Sequence, residues 1–185
     1  MLTQEERIRV SIIGKLGRFR IYLYLILLLL FLAAYFFGYA IKPSQQFAAA
    51  VNQEINQMQS EKNNLTSISP IAVFSYELTN YMINLGPSLI PLYGIWNTAA
   101  QWVTNGIATN AVSGDAAISL MAGTIILSLI MAIPSADGLL FILLLINYGK
   151  DREFKDLVLL SLRWYIMSVI LAMVLIILLL AMPYN

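Results

Sequence analysis

The chain has 185 residues, of which 59% are hydrophobic and 11% are charged, and its formal net charge at pH 7 is +1. Soluble domains are about 45–50% apolar and about 25% charged, so this composition is that of a membrane protein. The chain contains no cysteine and no histidine, which excludes disulfides, thiol nucleophiles and histidine-ligated metals or haem. The small net charge argues against nucleic acid as a partner.

The first 41 residues combine a polar lead with an apolar run. Residues 1–20 are basic and carry apolar residues at helical spacing. This predicts a cytoplasmic segment, either a basic flank that sets the topology or an amphipathic helix on the membrane surface. Residues 21–41 are apolar throughout, with tyrosines near both ends, and predict a first transmembrane anchor. The run is too long for the apolar region of a cleaved signal peptide, so we expect it to be retained.

Residues 42–69 are the one long hydrophilic segment. Apolar residues recur in it at steps of three or four, which predicts an amphipathic helix in an outer loop. This helix would pack on the membrane surface or on the spans, or bind a partner helix. Asn64, Leu65 and Thr66 form a sequon, so Asn64 is a candidate glycosylation site, which agrees with a position outside the cell.

Residues 70–182 are predicted to form a transmembrane core of four further spans. The second span begins with Pro70 at the first helical position, where proline is favoured. The third span runs from about residue 89 to 112. Prolines and glycines near 84–91 predict a helix break between these two spans.

The apolar block from 116 to 146 is too long for one straight span. Pro134 and Gly138 interrupt it, which predicts a second helix break near 133–138. The block would then be one broken, tilted span, or a span followed by a re-entrant half-helix. The last span begins near residue 157.

Polar side chains recur at helical spacing inside the second and third spans, where polar groups in hydrocarbon are costly and need a partner. The two polar stripes could face each other or a common interior. Glu77 would be a proton or ion relay, or be hydrogen-bonded to an amide on the facing helix, or lie near the water interface. Asp137 is predicted to cap the second half-helix of the broken segment, whose N-terminus could also bind an anion. The candidate polar and packing positions inside the membrane are Glu77, Asn80, Asn84, Gly94, Asn97, Gln101, Asn105, Gly106 and Asp137.

The basic residues predict the orientation of the chain. The positive-inside rule places the N-terminus and the charged loop at 150–155 in the cytoplasm, so the hydrophilic segment lies outside. An odd number of crossings must then connect that segment to the charged loop. The predicted fold is an all-α, polytopic transmembrane bundle of about five spans in the cell membrane, with its N-terminus in the cytoplasm and its C-terminus outside.

The sequence contains no phosphate-binding loop, dinucleotide fingerprint or catalytic constellation. We therefore expect no enzymatic activity and no cofactor. The expected partners are the lipid bilayer and other membrane proteins or further copies of the chain. The first hypothesis is a scaffold or subunit of a membrane protein complex. The alternative is a small transporter or permease subunit with a polar path between spans two to four, because broken helices commonly form substrate sites.

Four short stretches resemble a known family. They are Phe74 with Asn80, Pro91-Leu92-Tyr93-Gly94, Asn105-Gly106, and Ile133-Pro134-Ser135-Ala136-Asp137-Gly138. Together with the order of the predicted spans, they make residues 20–182 similar to the stage II sporulation protein M family of membrane proteins. The chain differs from the family in lacking a histidine beside the proline–glycine turn and in having Asn110 where a glycine is common. The resemblance implies a non-enzymatic membrane protein, which in spore-forming bacteria acts as a scaffold for cell-wall-remodelling enzymes.

Overall fold

The computed structural model describes residues 4–67, 69–149 and 154–181, with side chains from residue 12 onward. Every regular element in these residues is helical, which confirms the predicted all-α class. The α-helices are α1 (Gln4–Ala40), α2 (Gln45–Thr66), α3 (Pro70–Leu85), α4 (Tyr93–Ala111), α5 (Asp115–Tyr148) and α6 (Lys155–Ala181), and a 3-10 turn (Gly86–Leu89) follows α3. The first residues of the predicted lead, most of the charged loop and the end of the last span lie outside the described residues.

The polar lead and the first predicted span form one continuous helix, α1. The side chain of Asn110 on α4 donates to the carbonyl oxygens of Tyr39, at 2.9 Å, and Ile41, at 3.1 Å. Carbonyls at the end of a helix have no partner within the helix. Asn110 therefore caps α1 from a neighbouring helix.

The amphipathic helix predicted for the hydrophilic segment is present as α2. Its N-cap is Ser44, whose hydroxyl accepts a hydrogen bond from the backbone N–H of Phe47 at 3.2 Å. None of its residues is fully buried, and it packs against α3 and α4. α2 therefore lies against the bundle without entering its core.

The predicted start of α3 and the break after it are both confirmed. Pro70 stands at the first helical position, behind the N-cap Ser69. After the 3-10 turn, Leu92 has φ 65° and ψ −57°, and the N–H of Tyr93 bonds the carbonyl oxygen of Pro91 at 2.8 Å. These values define a γ-turn of the rare, strained hand.

α5 corrects the prediction of a second helix break. The helix runs without interruption from Asp115 to Tyr148 with Pro134 inside it. Proline removes one helical hydrogen bond, but membrane helices tolerate it where neighbouring groups compensate for the loss. Most residues from Ile130 to Leu140 are buried, so the proline is enclosed by other helices. The segment 133–138 is neither a broken span nor the start of a re-entrant half-helix.

α5 is the central helix of the bundle. In its most apolar stretch 56% of the residues are buried, against 28% in α1 and 22% in α6. Two buried clusters each draw residues from all three helices. The first includes Phe31, Met131 and Ile176, and the second includes Leu23, Leu140 and Val158. Residue numbers rise from the second cluster to the first in α1 and α6 and fall in α5, so α1 and α6 run antiparallel to α5.

α1 and α4 meet at two glycines. A Cβ on Gly38 would lie 2.0 Å from the carbonyl oxygen of Val103, and a Cβ on Gly106 would lie 2.1 Å from that of Tyr35. The two backbones are therefore in direct contact, as at the small-residue crossings of membrane helices. Gly106 occupies a packing position, as the sequence predicts, whereas Gly38 was not anticipated.

Among the described residues, three helices are long and apolar enough to cross a membrane. They are Ile12–Ala40, Asp115–Tyr148 and Lys155–Ala181. The shorter α3 and α4 do not meet this condition by length and composition alone. The three long helices are those of a membrane protein.

Candidate functional site

The most unusual polar feature of the bundle is an ion pair between α1 and α5. The Nη2 of Arg20 donates to Oδ2 of Asp137 at 2.8 Å, and its Nε donates to Oδ1. This bidentate geometry is the strongest arrangement of a guanidinium and a carboxylate. The side chain of Asp137 is 0% exposed and that of Arg20 is 37% exposed. The carboxylate is therefore enclosed, while the guanidinium keeps one open side.

Asp137 is an interior residue of α5 and does not cap a half-helix, so that prediction was wrong. The cap would require the helix to end at Pro134, and it does not. A carboxylate buried without a partner is very costly, and Arg20 is the group that offsets this cost.

Trp164 of α6 completes the contact. The guanidinium carbon of Arg20 lies 5.3 Å from the centroid of the Trp164 ring, within the range of a cation–π interaction. Three side chains from three helices therefore meet at one level of the bundle.

The break between α3 and α4 reaches the same level. The hydroxyl of Tyr165 donates to the carbonyl oxygen of Leu89, and a Cβ on Gly138 would lie 3.4 Å from the Cβ of Pro91. Tyr165 and Gly138 are the chain neighbours of Trp164 and Asp137. We call this level the ion-pair layer and define it by Arg20, Leu89, Pro91, Asp137, Gly138, Trp164 and Tyr165.

The polar stripe of α4 is bonded to the break. The side-chain amide of Asn97 donates to the Ser88 hydroxyl at 2.8 Å, and that of Gln101 donates to the carbonyl oxygen of Asn84 at 2.6 Å. Gly94 packs so closely that a Cβ would lie 2.0 Å from the carbonyl oxygen of Ser88. These residues fix the start of α4 against the end of α3.

The polar stripe of α3 points elsewhere. Glu77 accepts a hydrogen bond from Lys62 of α2 at 2.7 Å, with side chains 20% and 42% exposed respectively. Asn84 is exposed and donates to the carbonyl oxygen of Asn80 in its own helix. Within the described part of the chain, the stripes meet only where Gln101 reaches the Asn84 backbone. Of the two arrangements that the sequence left open, the stripes do not face each other along their length, because Glu77 bonds to α2, Asn84 bonds within α3 and Asn97 bonds to the 3-10 turn.

Two further predicted positions have ordinary local roles. Asn105 is half-buried, and its carbonyl oxygen accepts a hydrogen bond from Thr109 at 2.7 Å. Asn64 is exposed in the last turn of α2, and its carbonyl oxygen accepts from Ser67 at 2.6 Å. The Asn64 side chain therefore lies at the surface, as a modification site requires.

Several residues that hold the bundle together were not identified from the sequence. Trp102 is 1% exposed, and its indole N–H donates to the hydroxyl of Ser128. Lys62 is the partner of Glu77, and Arg20 is the partner of Asp137. A signal for Arg20 was available, since an acid in an apolar segment needs a cation and Arg20 adjoins the first apolar run.

Three buried hydroxyl groups have no hydrogen-bond partner among the described residues. They are those of Tyr35, Thr98 and Ser135. A buried hydroxyl without a partner is costly unless water or a ligand satisfies it. These groups are the observation that favours a polar path through the bundle.

In the described ranges, no group of three or more histidine, cysteine, aspartate or glutamate side chains could hold a metal ion. Comparison of the chain with protein-family models, with curated proteins and with solved structures finds no match.

Proposed function

We propose that the chain is a non-enzymatic scaffold of the cell membrane, a subunit of a membrane protein complex built on five spans. The observation that carries the proposal is that the polar side chains of the central helices bond to one another and to the backbone. The pairs are Asn97 with Ser88, Gln101 with Asn84, and Trp102 with Ser128. Such bonds hold membrane helices together. They favour a rigid bundle whose wide apolar outer faces are free for lipids and partner helices.

Five spans are supported by the distance from the ion-pair layer to the outer helix ends. At 1.5 Å per residue, the distance from that layer to the outer end of the helix is about 30 Å along α1, about 33 Å along α5 and about 26 Å along α6. α4 is about 28 Å long, and α3 with its 3-10 turn is at most about 32 Å. The hydrocarbon core of a bilayer is about 30 Å thick. We therefore place the ion-pair layer at one water boundary, so that α1, α3, α4, α5 and α6 all cross.

This boundary is the cytoplasmic one. Lys15, Arg18 and Arg20 on α1 and Arg163 on α6 lie at the layer or beyond it, where the positive-inside rule places basic residues. Trp164 at the layer suits an interfacial aromatic belt. The N-terminus is then cytoplasmic and the C-terminus outside. The partners are the bilayer and other membrane proteins or further copies of the chain, without nucleic acid.

The resemblance to the stage II sporulation protein M family supports the same role, and we propose membership of that family. The residues that carry the resemblance coincide with structural features of this bundle. Pro91 to Gly94 form the γ-turn and the contact with Ser88, Gly106 contacts α1, and Asp137 forms the ion pair.

Crosslinking in native membranes, followed by purification of the tagged chain in mild detergent, tests the scaffold role. The expected result is one assembly larger than the monomer, with the same crosslinked partner in independent preparations. A tagged, unrelated membrane protein of similar abundance is the control for non-specific capture. A monomer with no crosslinked partner would overturn the proposal.

A small transporter or permease subunit is the second candidate, and the unpartnered hydroxyls of Tyr35, Thr98 and Ser135 favour it. Solute or proton flux in proteoliposomes tests it. Transport through the bundle predicts flux above that of empty vesicles, and Thr98→Val and Ser135→Ala should reduce it. Flux equal to that of empty vesicles in the wild-type protein would exclude this candidate.

A further inference from the structure

We propose that a groove beside the Arg20–Asp137 pair binds the headgroup of one anionic phospholipid from the cytoplasmic leaflet. The proposal rests on the position of the cytoplasmic boundary at the ion-pair layer. It does not depend on which proteins the scaffold engages.

The groove lies where α1 passes α5 and α6, on the open side of the ion pair. Its cationic part is lined by Arg18, Arg20 and Trp164, and its apolar part by Ile21, Tyr24 and Ile133. α1 rises toward the membrane core from Arg18 to Tyr24, and Ile133 lies one helical turn outward of Asp137 on α5. Polarity along the groove therefore changes in the same direction as along a phospholipid, from headgroup to acyl chain.

The ion pair leaves donors free for a phosphate. Asp137 accepts from Nε and Nη2 of Arg20, and Nη1 has no partner among the described residues. Arg18 is exposed and forms no ion pair with any described residue. Because Asp137 neutralises only one of the two arginines, the groove keeps a positive charge. Guanidinium groups bind phosphate oxygens with good geometry.

Two glycines keep the α1 wall of the groove open. A Cβ on Gly14 or Gly17 would meet no atom within 4 Å, in contrast to Gly38, where backbone contact requires glycine. The α1 wall therefore carries no side chain at these two positions, which leaves room for a headgroup beside Arg18.

The position of the apolar wall favours a lipid over a soluble anion. Ile21, Tyr24 and Ile133 lie on the membrane side of the ion-pair layer, where an acyl chain is the available apolar partner. The guanidinium of Arg20 is held against the Trp164 ring, so one side of the site is fixed before a lipid arrives.

Native mass spectrometry of the purified 185-residue chain in neutral detergent tests the proposal. The protein is titrated with dioleoyl-phosphatidylglycerol or with dioleoyl-phosphatidylcholine, and retained lipids are counted. We expect the wild-type chain to prefer phosphatidylglycerol by about tenfold, which corresponds to about 1.4 kcal/mol. Arg18→Gln should remove most of this preference. Arg163→Gln makes the same charge change at the same level but outside the groove, and should keep it.

A second pair of variants separates the shape of the groove from its charge. Gly17→Trp fills the groove and leaves every arginine in place, so it should abolish retention of phosphatidylglycerol. Gly123→Trp is the matched control, because a Cβ on Gly123 also meets no atom within 4 Å. Thermal unfolding in detergent verifies that each variant is folded, and Gly14→Leu replaces Gly17→Trp if the latter is not.

Three results would overturn the proposal. They are equal retention of the two lipids, unchanged preference in Arg18→Gln, and unchanged retention in the folded groove-filling variant. Inorganic phosphate that displaces the lipid at millimolar concentration would instead identify a soluble-anion site and exclude the lipid assignment. The readout uses the isolated chain, so a failure here leaves the proposed scaffold role standing.

Discussion

Asp137 is the residue whose surroundings depend most on the rest of the fold. Its carboxylate is 0% exposed inside the most buried helix. Removing one partner of a buried ion pair is usually far more costly than replacing both, because the remaining charge is left uncompensated. Separating α1 from α5 would leave the Asp137 carboxylate without its partner, so the Arg20–Asp137 pair stabilises the contact between these helices.

A double-mutant cycle at this pair should be strongly non-additive. We expect Arg20→Ala to lower the free energy of unfolding by about 2–4 kcal/mol, because it leaves the carboxylate buried alone. Asp137→Ala should lower the free energy of unfolding somewhat less, since the partly exposed guanidinium of Arg20 can be hydrated. In unfolding titrations in mixed micelles, the double variant should lose clearly less free energy of unfolding than the two single variants lose in sum. Arg163→Ala is the exposed control, with an expected change within about 0.5 kcal/mol. An additive cycle would mean that the pair is not coupled.

Gly38 and Gly106 should tolerate an added methyl group poorly. We expect Gly38→Ala and Gly106→Ala each to lower the free energy of unfolding by about 1–3 kcal/mol, because the added atom must push two backbones apart. Gly123→Ala, where the Cβ meets no atom, should be neutral or slightly stabilising. Thermal unfolding in detergent ranks the three variants, and equal midpoints would contradict the close α1–α4 contact.

At the scale of elements, the γ-turn between α3 and α4 stores backbone strain at Leu92. A residue with a Cβ in such a conformation costs about 1–3 kcal/mol, and glycine avoids most of that cost. We expect Leu92→Gly to stabilise the bundle or leave it unchanged, and Leu92→Ala, which keeps the Cβ, to be less stable than Leu92→Gly. Unfolding titrations of the two variants measure the difference. The opposite order would mean that the turn is not strained.

The contact of α2 with α3 should weaken in acid. Glu61 accepts hydrogen bonds from Tyr76 and Gln57, and these hold the pKa of its carboxyl below the ordinary value. A lowered pKa stabilises the fold above the unfolded-state pKa of about 4.3, and that contribution is lost as pH falls through the lower folded-state value.

Hydrogen exchange of the last two turns of α2 measures this effect. After correction for the intrinsic exchange rate, protection should fall as pH drops below about 4.3. In Glu61→Gln the fall should be smaller, because that side chain does not titrate. Equal pH dependence in the two proteins would show that Glu61 has no part in docking α2.

At the scale of the whole molecule, residue patterns predicted what is local to one helix. Pro70 predicted the start of α3, and the glycine and prolines near Gly86 predicted the break after it. The continuity of α5 through Pro134 could not be predicted, because it depends on the helices that enclose the proline.

The candidate site was only half predictable for a similar reason. Asp137 was identified as unusual, but its role was misassigned, since a cap and an ion-pair partner look the same without the fold. Lys62 lies in a polar segment, where a basic residue needs no special explanation, and the signal for Arg20 was that Asp137 in an apolar segment needs a cation. Their roles come from contacts across 15 and 117 residues of chain, which helical spacing does not reveal.

Two arrangements in the membrane give the same orientation of both termini. In the first, five helices cross the membrane. In the second, α1, α5 and α6 cross, and α3 and α4 form a re-entrant pair that enters and leaves on the same side. They differ in the depth of the γ-turn. If the ion-pair layer is the cytoplasmic boundary, Leu92 meets water, and the inner ends of α1, α5 and α6 extend at least about 13 Å beyond the membrane. If the boundary lies at the ends of those helices, Leu92 lies within hydrocarbon.

Cysteine accessibility at Leu92 decides between them most directly. The natural chain has no cysteine, so each single-cysteine variant is labelled without background. Leu92 is 48% exposed, Tyr148 40% and Leu129 43%, so the three sites differ in depth more than in exposure. With a membrane-impermeant maleimide, we expect Leu92→Cys and Tyr148→Cys to be labelled only from the cytoplasmic side, and Leu129→Cys from neither side. Labelling of Tyr148→Cys without Leu92→Cys would contradict the five-span bundle.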